Sequence, residues 1–168
     1  AHTSPLAGRT SKPKGGKVAV LDATTDTMLD VTQDNVATVF AQRYRDKFRF
    51  SHDRGRWYEW DGRRWREEPT RLAFEYTRIL TRTLNTEGKR EFAKASFCEG
   101  VEKFARSDRV FALRGDEWNS DPWLLNTPAG TVDLKTAGMR RHEQADLITK
   151  ITSVAPENGE PQEWNEFL

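Results

Sequence analysis

Apolar residues first recur at helical spacing between residues 36 and 44. They are Val36, Val39, Phe40 and Tyr44. Because a helix turns once every 3.6 residues or so, these side chains share one face, and Thr32 or Asp34 can cap the first turn. At Phe48 and Phe50 apolar residues begin to alternate with polar ones, which is typical of a strand. The pattern predicts an N-terminal helix followed by extended chain.

A β-hairpin is predicted in residues 56–67, RWYEWDGRRWRE. Asp61-Gly62 favours a two-residue type I′ turn, because both turn positions need positive φ. Such a turn sets Trp60 opposite Arg63. Side chains alternate along a strand, so the hairpin has two faces.

The two faces of this hairpin are expected to differ in environment. The expected core face holds Tyr58, Trp60 and Trp65. The expected water-facing side holds Trp57, Glu59, Arg64 and Arg66, with Glu59 opposite Arg64 and Trp57 opposite Arg66. Cross-strand ion pairing and a cation–π contact would stabilise that second face.

Two more helices are predicted after the hairpin. The first starts at Pro69-Thr70 and closes at Asn85 and Gly88. Its expected apolar face holds Leu72, Tyr76, Ile79, Leu80 and Thr83. Its expected charged face holds Arg71, Glu75, Arg78 and Arg82.

The second of these helices is predicted over residues 89–106. Its expected inward residues are Ala93, Phe97, Val101 and Phe104. A short helical turn is expected over residues 109–113. Because only a short loop separates the two long helices, we expect them to pack antiparallel.

After Trp118 the sequence changes to short strands separated by turns. The expected strands cover residues 124–126, 131–134, 139–142 and 147–152. The predicted fold class is therefore α+β, with an N-terminal helix, a β-hairpin, an antiparallel helix pair and a small antiparallel β region.

Proline, glycine and charge set the expected domain boundaries. Residues 1–31 are expected to be a flexible linker or tail, since glycines, prolines and like charges crowd that stretch. Residues 32–154 are the expected folded domain. Residues 155–168 are expected to be a second linker that ends in EWNEFL, the start of a helix leading to a further domain.

The net charge of +1 hides an uneven distribution of charge. Residues 35–82 carry twelve basic and seven acidic residues, whereas residues 118–168 carry four basic and eight acidic ones. A basic middle is typical of a nucleic-acid surface, although solvated helix faces give the same pattern.

Motifs for catalysis are not found in the sequence. A P-loop needs G-x-x-x-x-G-K-[ST], and the Gly16-Lys17 pair does not fit it. Zinc sites need clustered Cys and His, whereas the chain has one cysteine and three separated histidines. Cys98 follows Phe97 on a predicted helix, which favours a buried thiol over a catalytic Cys–His pair. We expect no enzyme activity, metal or cofactor in this chain.

The expected location is the cytoplasm. Cys98 is the only cysteine, so an internal disulfide is impossible and a reducing compartment fits best. No apolar stretch approaches the roughly 20 residues that span a bilayer, so no membrane partner is expected.

Two stretches of the chain resemble a known family of replication proteins. One is GRWYEWDGRRW, and the other is LLNTPAGTVDLKTAGMRRHEQADLITKIT followed by EWNEFL. The matching residues in the second stretch are Leu125, Asn126, Gly130, Asp133, Leu134, Leu147, Ile148 and Thr149; Ala129 stands where an Asn is common. The chain from about Asp34 to Leu168 resembles phage and plasmid primase–helicases of the satellite-phage and poxvirus type. The similar region is the domain ahead of their superfamily 3 helicase motor.

The resemblance implies a non-catalytic accessory domain, a collar or adaptor between primase and motor. Its implied partners are single-stranded or forked DNA, a primase module, and a helicase motor in the same parent chain. The motor implies a hexameric ring, with ATP and magnesium bound by the motor rather than by this chain.

A DNA-contacting surface is predicted on the hairpin and the helix after it. Its candidate residues are Arg54, Arg56, Trp57, Arg63, Arg64, Arg66, Arg71, Arg78 and Arg82. The arginines would contact phosphates, and Trp57 would stack on a base. In the competing interpretation the tryptophans are core residues and the arginines pair with Glu59, Glu67, Glu68 and Glu75. Two other functions stay open: a protein–protein oligomerisation module without DNA binding, and a stand-alone winged-helix-like DNA-binding regulator.

Overall fold

The structure is a computed structural model that describes residues 17–22 and 25–157. Its helices are α1 (Gln33–Tyr44), α2 (Leu72–Leu84) and α3 (Ala95–Ser107), and shorter 3-10 helices cover Arg90–Ala93, Gly115–Glu117 and Gln144–Asp146. Its strands are β1 (Lys17–Asp22), β2 (Thr25–Asp30), β3 (Phe48–Ser51), β4 (Arg56–Trp60), β5 (Trp65–Glu67), β6 (Ala112–Leu113), β7 (Leu124–Thr127), β8 (Gly130–Asp133) and β9 (Gly138–Arg140). The predicted α+β class is confirmed.

Strands β1 and β2 form an antiparallel pair, with Lys17 opposite Asp30. The prediction of a flexible linker over residues 1–31 is therefore wrong for residues 17–22 and 25–30. β-branched residues favour strands, and both strands contain them: Val18, Val20, Thr25 and Thr27. Residues 1–16 lie outside the described residues. So do residues 158–168, which include the predicted EWNEFL helix; residues 155–157 have no regular secondary structure.

Helix α1 begins where its sequence predicts. Thr32 is the N-cap, and its hydroxyl accepts a hydrogen bond from the Asn35 amide at 3.2 Å. Val36 and Phe40 are completely buried, and Tyr44 packs against them at the edge of the core. The predicted apolar face of this helix is confirmed.

The central sheet has four strands in the order β5-β4-β3-β6, in which only β6 runs parallel to its neighbour β3. The register of the β4–β5 hairpin differs from the prediction. Trp60 lies opposite Trp65 and Glu59 opposite Arg66, because the connection has four residues rather than two. The Asp61 carboxylate accepts hydrogen bonds from the amides of Arg63 and Arg64, both at 2.9 Å, which stabilises this longer turn.

This sheet is buried on both faces, which explains the run of adjacent aromatic residues in β4. Tyr58, Trp65 and Trp118 form a small cluster on the face that the sequence predicts as core. The opposite face, predicted to be wet, lies on the main core. Trp57 is only 5% exposed there, among Phe40, Phe48, Phe50 and Phe111. The prediction of a water-facing Trp57 beside Arg66 is wrong.

Helices α2 and α3 pack against each other and cover the main core, but their buried faces are rotated by about one residue from the prediction. In α2 the buried residues are Ala73, Thr77, Leu80 and Thr81, whereas Ile79 is 47% exposed. In α3 they are Cys98, Val101, Glu102 and Ala105, whereas Phe104 is 49% exposed. The prediction counted only hydrophobic residues, whereas the buried faces also include threonines of α2 and a glutamate of α3.

Helix α2 starts later than the predicted Pro69-Thr70, with Arg71 as its N-cap residue and the side chain of Glu68 beside its first turn. The Glu68 carboxylate accepts hydrogen bonds from the Thr70 and Leu72 amides at 2.6 and 2.7 Å, and the helix begins at Leu72. Its end at Asn85 is as predicted. The predicted helical turn over residues 109–113 is wrong in its second half, because Ala112 and Leu113 form β6 beside Phe50 and Ser51.

The C-terminal sheet has three antiparallel strands in the order β7-β8-β9. The fourth predicted strand, residues 147–152, does not form. Its backbone makes isolated hydrogen bonds to different partners: the Trp65 amide donates to the Ile148 carbonyl at 2.8 Å, and the Thr152 amide donates to the Asn126 carbonyl at 2.9 Å. Residues 147–152 therefore join the two sheets without belonging to either ladder.

Asn126 holds this junction together, and we expect Asn126→Ala to lower the free energy of unfolding by about 2 kcal/mol. Its side-chain amide donates to the carbonyls of Arg63 and Lys150 at 3.0 and 3.1 Å, and its oxygen accepts from the Thr131 hydroxyl. Urea denaturation measures the change. The exposed neighbour Ser120→Ala is the control and should stay within about 0.5 kcal/mol; an equally small loss for Asn126→Ala would contradict the assignment.

Candidate nucleic-acid interface

Trp57 is not part of an exposed surface. Its indole N–H donates to the carboxylate of Glu102 at 2.9 Å, and Glu102 itself is only 3% exposed. Four core phenylalanines surround the indole, with ring centroids 5.1 to 6.5 Å from it. A base therefore has no access to this ring, and stacking on Trp57 is ruled out in this fold.

Most hairpin arginines have partners on the hairpin itself. The contacts are Arg54 to the Tyr58 hydroxyl (2.8 Å), Arg56 to Glu67 (2.8 Å), Arg64 to Asp61 (3.7 Å) and Arg66 to Glu59 (3.8 Å). Arg63 is exposed, and its side chain has no partner among the described residues. The predicted Glu59–Arg64 pair does not form; Lys47 holds Glu59 at 2.7 Å, and this contact raises the pKa of Lys47.

Acidic residues separate the hairpin from α2. A groove of about 470 Å³ at this place is lined by Glu59, Arg66, Glu67, Glu68, Pro69, Thr70 and Leu72. Its carboxylates contact Lys47, Arg56 and Arg66 or accept a hydrogen bond at the start of α2, so the groove offers phosphates no excess positive charge. The predicted basic track from the hairpin arginines to the α2 arginines is therefore interrupted.

Arg71 also belongs to the folded framework. It is the residue before α2 and has a left-handed backbone with φ of 62°. Its guanidinium lies over the Phe74 ring at 4.5 Å and 3.8 Å from the Glu102 carboxylate. Although 62% of its side chain is exposed, its charge faces a carboxylate.

Arg78 and Arg82 share a groove between α2 and α3, which we call the α2–α3 groove. It has a volume of about 430 Å³ and is lined by Phe74, Arg78, Arg82, Phe92, Ala93, Ala95 and Cys98. Arg78 contacts Glu75, whereas Arg82 is exposed and has no carboxylate partner in the described part of the chain. Both guanidiniums lie close enough to Cys98 to act on it electrostatically.

The segment that borders this groove carries two cations that the sequence did not single out, Arg90 and Lys94. Both are exposed, and neither has an ion-pair partner among residues 30–157, whose side chains the structure describes. Their position between α2 and α3 becomes clear only from the packing of the two helices. Arg82, Arg90 and Lys94 are thus three exposed cations at this groove without an ion pair among residues 30–157, and Glu91 is an exposed acid in the same segment.

Cys98 is buried, as its place beside Phe97 predicts. Loss of solvation raises the pKa of its thiol, while the nearby Arg78 and Arg82 oppose that shift. A raised pKa disfavours the thiolate, the reactive form. Cys98 is therefore a packing residue at the floor of the groove.

Glu102 is the polar residue that sequence reasoning missed. Besides Trp57 it binds Arg106 at 2.7 Å, and the Arg106 guanidinium lies 5.2 Å from the centre of the Phe50 ring. The position carries a signal, because the i,i+4 spacing to Cys98 places it on the buried side of α3, and the same spacing to Arg106 allows an ion pair. Nothing in the neighbouring sequence identifies Trp57, on β4, as its partner.

Several residues in 124–152, the second stretch that resembles the primase–helicases, stabilise the C-terminal sheet. Asn126 and Thr149 bind other segments, the latter through Asn119 at 2.9 Å. Ile148 is buried. Gly130 has its α-carbon so close to the Arg140 carbonyl that an added Cβ would lie 2.4 Å from that oxygen. The packing and hydrogen bonds of the fold therefore account for the residue types at these positions.

Within the described residues, no group of three or more His, Cys, Asp or Glu side chains is arranged to hold a metal ion. None of the helices in that part of the chain has the length and apolar character needed to cross a bilayer.

Comparison with known proteins gives one informative finding. A protein-family model described as D5 N terminal like matches residues 37–168, which is more than half of the chain. No curated protein matches it.

Proposed function

The chain belongs to the D5 N terminal like family, the N-terminal region of D5-like primase–helicase proteins, and we propose that it is a non-catalytic collar or adaptor domain that contacts DNA through the α2–α3 groove. The family match fits an accessory domain in DNA replication. The groove supplies the contact: Arg78 and Arg82 line it, Arg90 and Lys94 border it, and Glu75 contacts Arg78 alone among these four cations.

The proposed contact is with phosphates and not with bases. Exposed guanidinium and ammonium groups bind the backbone of any sequence, and the affinity falls steeply with salt. The predicted stacking residue Trp57 is buried, so the proposal transfers the contact from the hairpin to the helices. Single-stranded or forked DNA is the partner expected next to a helicase.

The proposed parent is a phage or plasmid replication protein that works in the cytoplasm. In that parent a primase module precedes the domain, and a hexameric motor follows and carries the ATP and magnesium chemistry. The support is the similarity of residues 125–149 to such proteins together with the family match.

Charge reversal in the groove tests the proposal. We expect Arg78→Glu with Arg82→Glu to weaken binding to single-stranded DNA at least about tenfold. The decrease of log K with log salt should also become less steep, by about 2 units of slope. Fluorescence anisotropy at several salt concentrations measures both quantities, with duplex and forked DNA in parallel.

The matched control reverses two hairpin charges, Arg63→Glu with Arg66→Glu. Both residues are exposed, so the net charge changes by the same amount with little effect on folding. Equal losses in the two variants would overturn the groove assignment. A wild-type chain that binds neither single-stranded nor duplex DNA at low salt would overturn the DNA contact and favour a protein–protein module. Strong preference for one duplex sequence would favour a regulator instead.

A further inference from the structure

The outer face of the three-stranded sheet is apolar, and none of the described residues covers it. Leu125 lies opposite Val132, and Val132 lies opposite Met139, so these three form a row across β7, β8 and β9. Trp123 and Leu134 extend the row, joined by a hydrogen bond from the Leu134 amide to the Trp123 carbonyl at 2.8 Å. The exposed fractions are 48% for Trp123, 40% for Leu125, 50% for Leu134 and 57% for Met139.

The two faces of this sheet have opposite roles. Asn126 and Thr131, on the inner face, are buried and bind the rest of the fold. An antiparallel sheet is stable with one solvated face, but that face is then normally polar. Contiguous exposed apolar side chains instead mark a place where something docks.

The border of this outer face carries both cations and carboxylates. Lys135 places its ammonium group 5.3 Å from the centre of the Trp123 ring and has no carboxylate partner among the described residues. Arg141 is exposed directly after β9. Asp121 and Asp133 lie on the same border and stay charged while they accept hydrogen bonds from the amides of Trp123 and Lys135. A well-matched occupant is therefore apolar in the middle, with its acidic groups placed toward Lys135 and Arg141.

The width of the face matches one helix. Three strands about 4.8 Å apart make a platform about 10 Å wide, close to the diameter of a helix with its side chains. A helix laid on a sheet is one of the ordinary ways in which proteins cover an apolar sheet face. The occupant needs no more than two turns to span strands of this length.

The chain itself contains a segment of this chemistry. Residues 163–168 read EWNEFL, in which Trp164, Phe167 and Leu168 recur at helical spacing, and Glu163 and Glu166 supply acid. We propose that the outer face of the β7–β8–β9 sheet is the docking site of this segment. The inference is independent of DNA contact and concerns a different surface.

The chain between Thr152 and Glu163 is long enough for the segment to reach this face. The Thr152 amide binds Asn126 of β7, so the chain passes the edge of this sheet before it reaches the segment. Eleven residue steps separate Thr152 from Glu163, and extended chain covers about 3.3 Å per residue, or roughly 36 Å in all. That distance exceeds the width of the sheet several times.

Methionine oxidation in the full chain tests the proposal. The chain has two methionines, Met28 and Met139, so one peptide reports on the face and the other is an internal reference. We expect Trp164→Ala with Phe167→Ala to increase the rate of Met139 oxidation by peroxide several-fold, because docking covers the thioether. Mass spectrometry of the two peptides gives both rates, and the rate at Met28 should not change.

Asn165→Ala is the matched control, since it alters the same segment without removing an apolar side chain. It should leave the rate at Met139 as in the wild type. Equal Met139 rates in the wild type and the double variant would overturn the proposal. Protection of Met139 that increases with protein concentration would also overturn it, because the occupant would then be a second copy of the chain.

Discussion

Replacing Glu102 by alanine is expected to lower the free energy of unfolding by about 3 kcal/mol. The carboxylate accepts hydrogen bonds from the Trp57 indole at 2.9 Å and from Arg106 at 2.7 Å inside the main core. Without it, a buried N–H group has no partner and Arg106 loses its counter-charge. Urea denaturation gives the change, and an unaltered m-value would show that the unfolded state is the same.

Two further variants make this prediction specific. Glu99→Ala removes an exposed carboxylate from the same helix and should cost less than about 0.5 kcal/mol. Trp57→Phe keeps most of the ring but removes the N–H donor, so its effect and that of Glu102→Ala should not add. Additive losses, or a loss below about 1 kcal/mol for Glu102→Ala, would contradict a shared network.

The order and type of most elements after residue 32 could be predicted from local patterns; β6 and residues 147–152 are the exceptions. Apolar spacing identified α1, and the Asn85 end of α2 followed from ordinary stop signals. The faces of α2 and α3 could not be predicted as well. Thr77, Thr81 and Glu102 are buried although they are polar, and only contacts between distant segments decide that.

The hairpin shows why a correct local signal can give a wrong surface. Alternation correctly separated Tyr58 and Trp65 from Trp57 and Glu59, and the longer turn preserves that separation. Which side meets water depends on layers that lie far away in sequence. Here the side holding Trp57 meets the helices and the other side meets Trp118, so neither face of the hairpin is free.

The candidate site could be predicted only as a set of residue types. Which arginine keeps its charge available depends on which carboxylate lies nearby, and non-local packing decides that. Arg71, for example, faces Glu102 across 31 positions of sequence. Arg82 has no such partner among the described residues, and Arg90 and Lys94 join it only because α3 packs against α2.

Trp65→Ala is expected to have the largest effect of any single substitution considered, a loss of about 4 kcal/mol. Trp65 is completely buried between the rings of Trp60 and Trp118, and the Arg49 guanidinium lies 4.7 Å from its ring centre. Its indole N–H donates to the Gln144 carbonyl at 3.0 Å. Alanine would therefore leave a large cavity and also remove the side-chain hydrogen bond to the short 3-10 helix Gln144–Asp146, while the backbone bond to Ile148 would remain.

Graded variants separate these two contributions to the Trp65 effect in urea denaturation. Trp65→Phe keeps much of the volume and loses the indole hydrogen bond, so we expect a loss of about 1–2 kcal/mol. Phe104→Ala removes a half-exposed aromatic side chain from α3 and should cost about 1 kcal/mol or less. If Trp65→Ala were no more harmful than Phe104→Ala, the second cluster would contribute little to stability. The three-stranded sheet would then have to be held mainly by Asn126 and its partners.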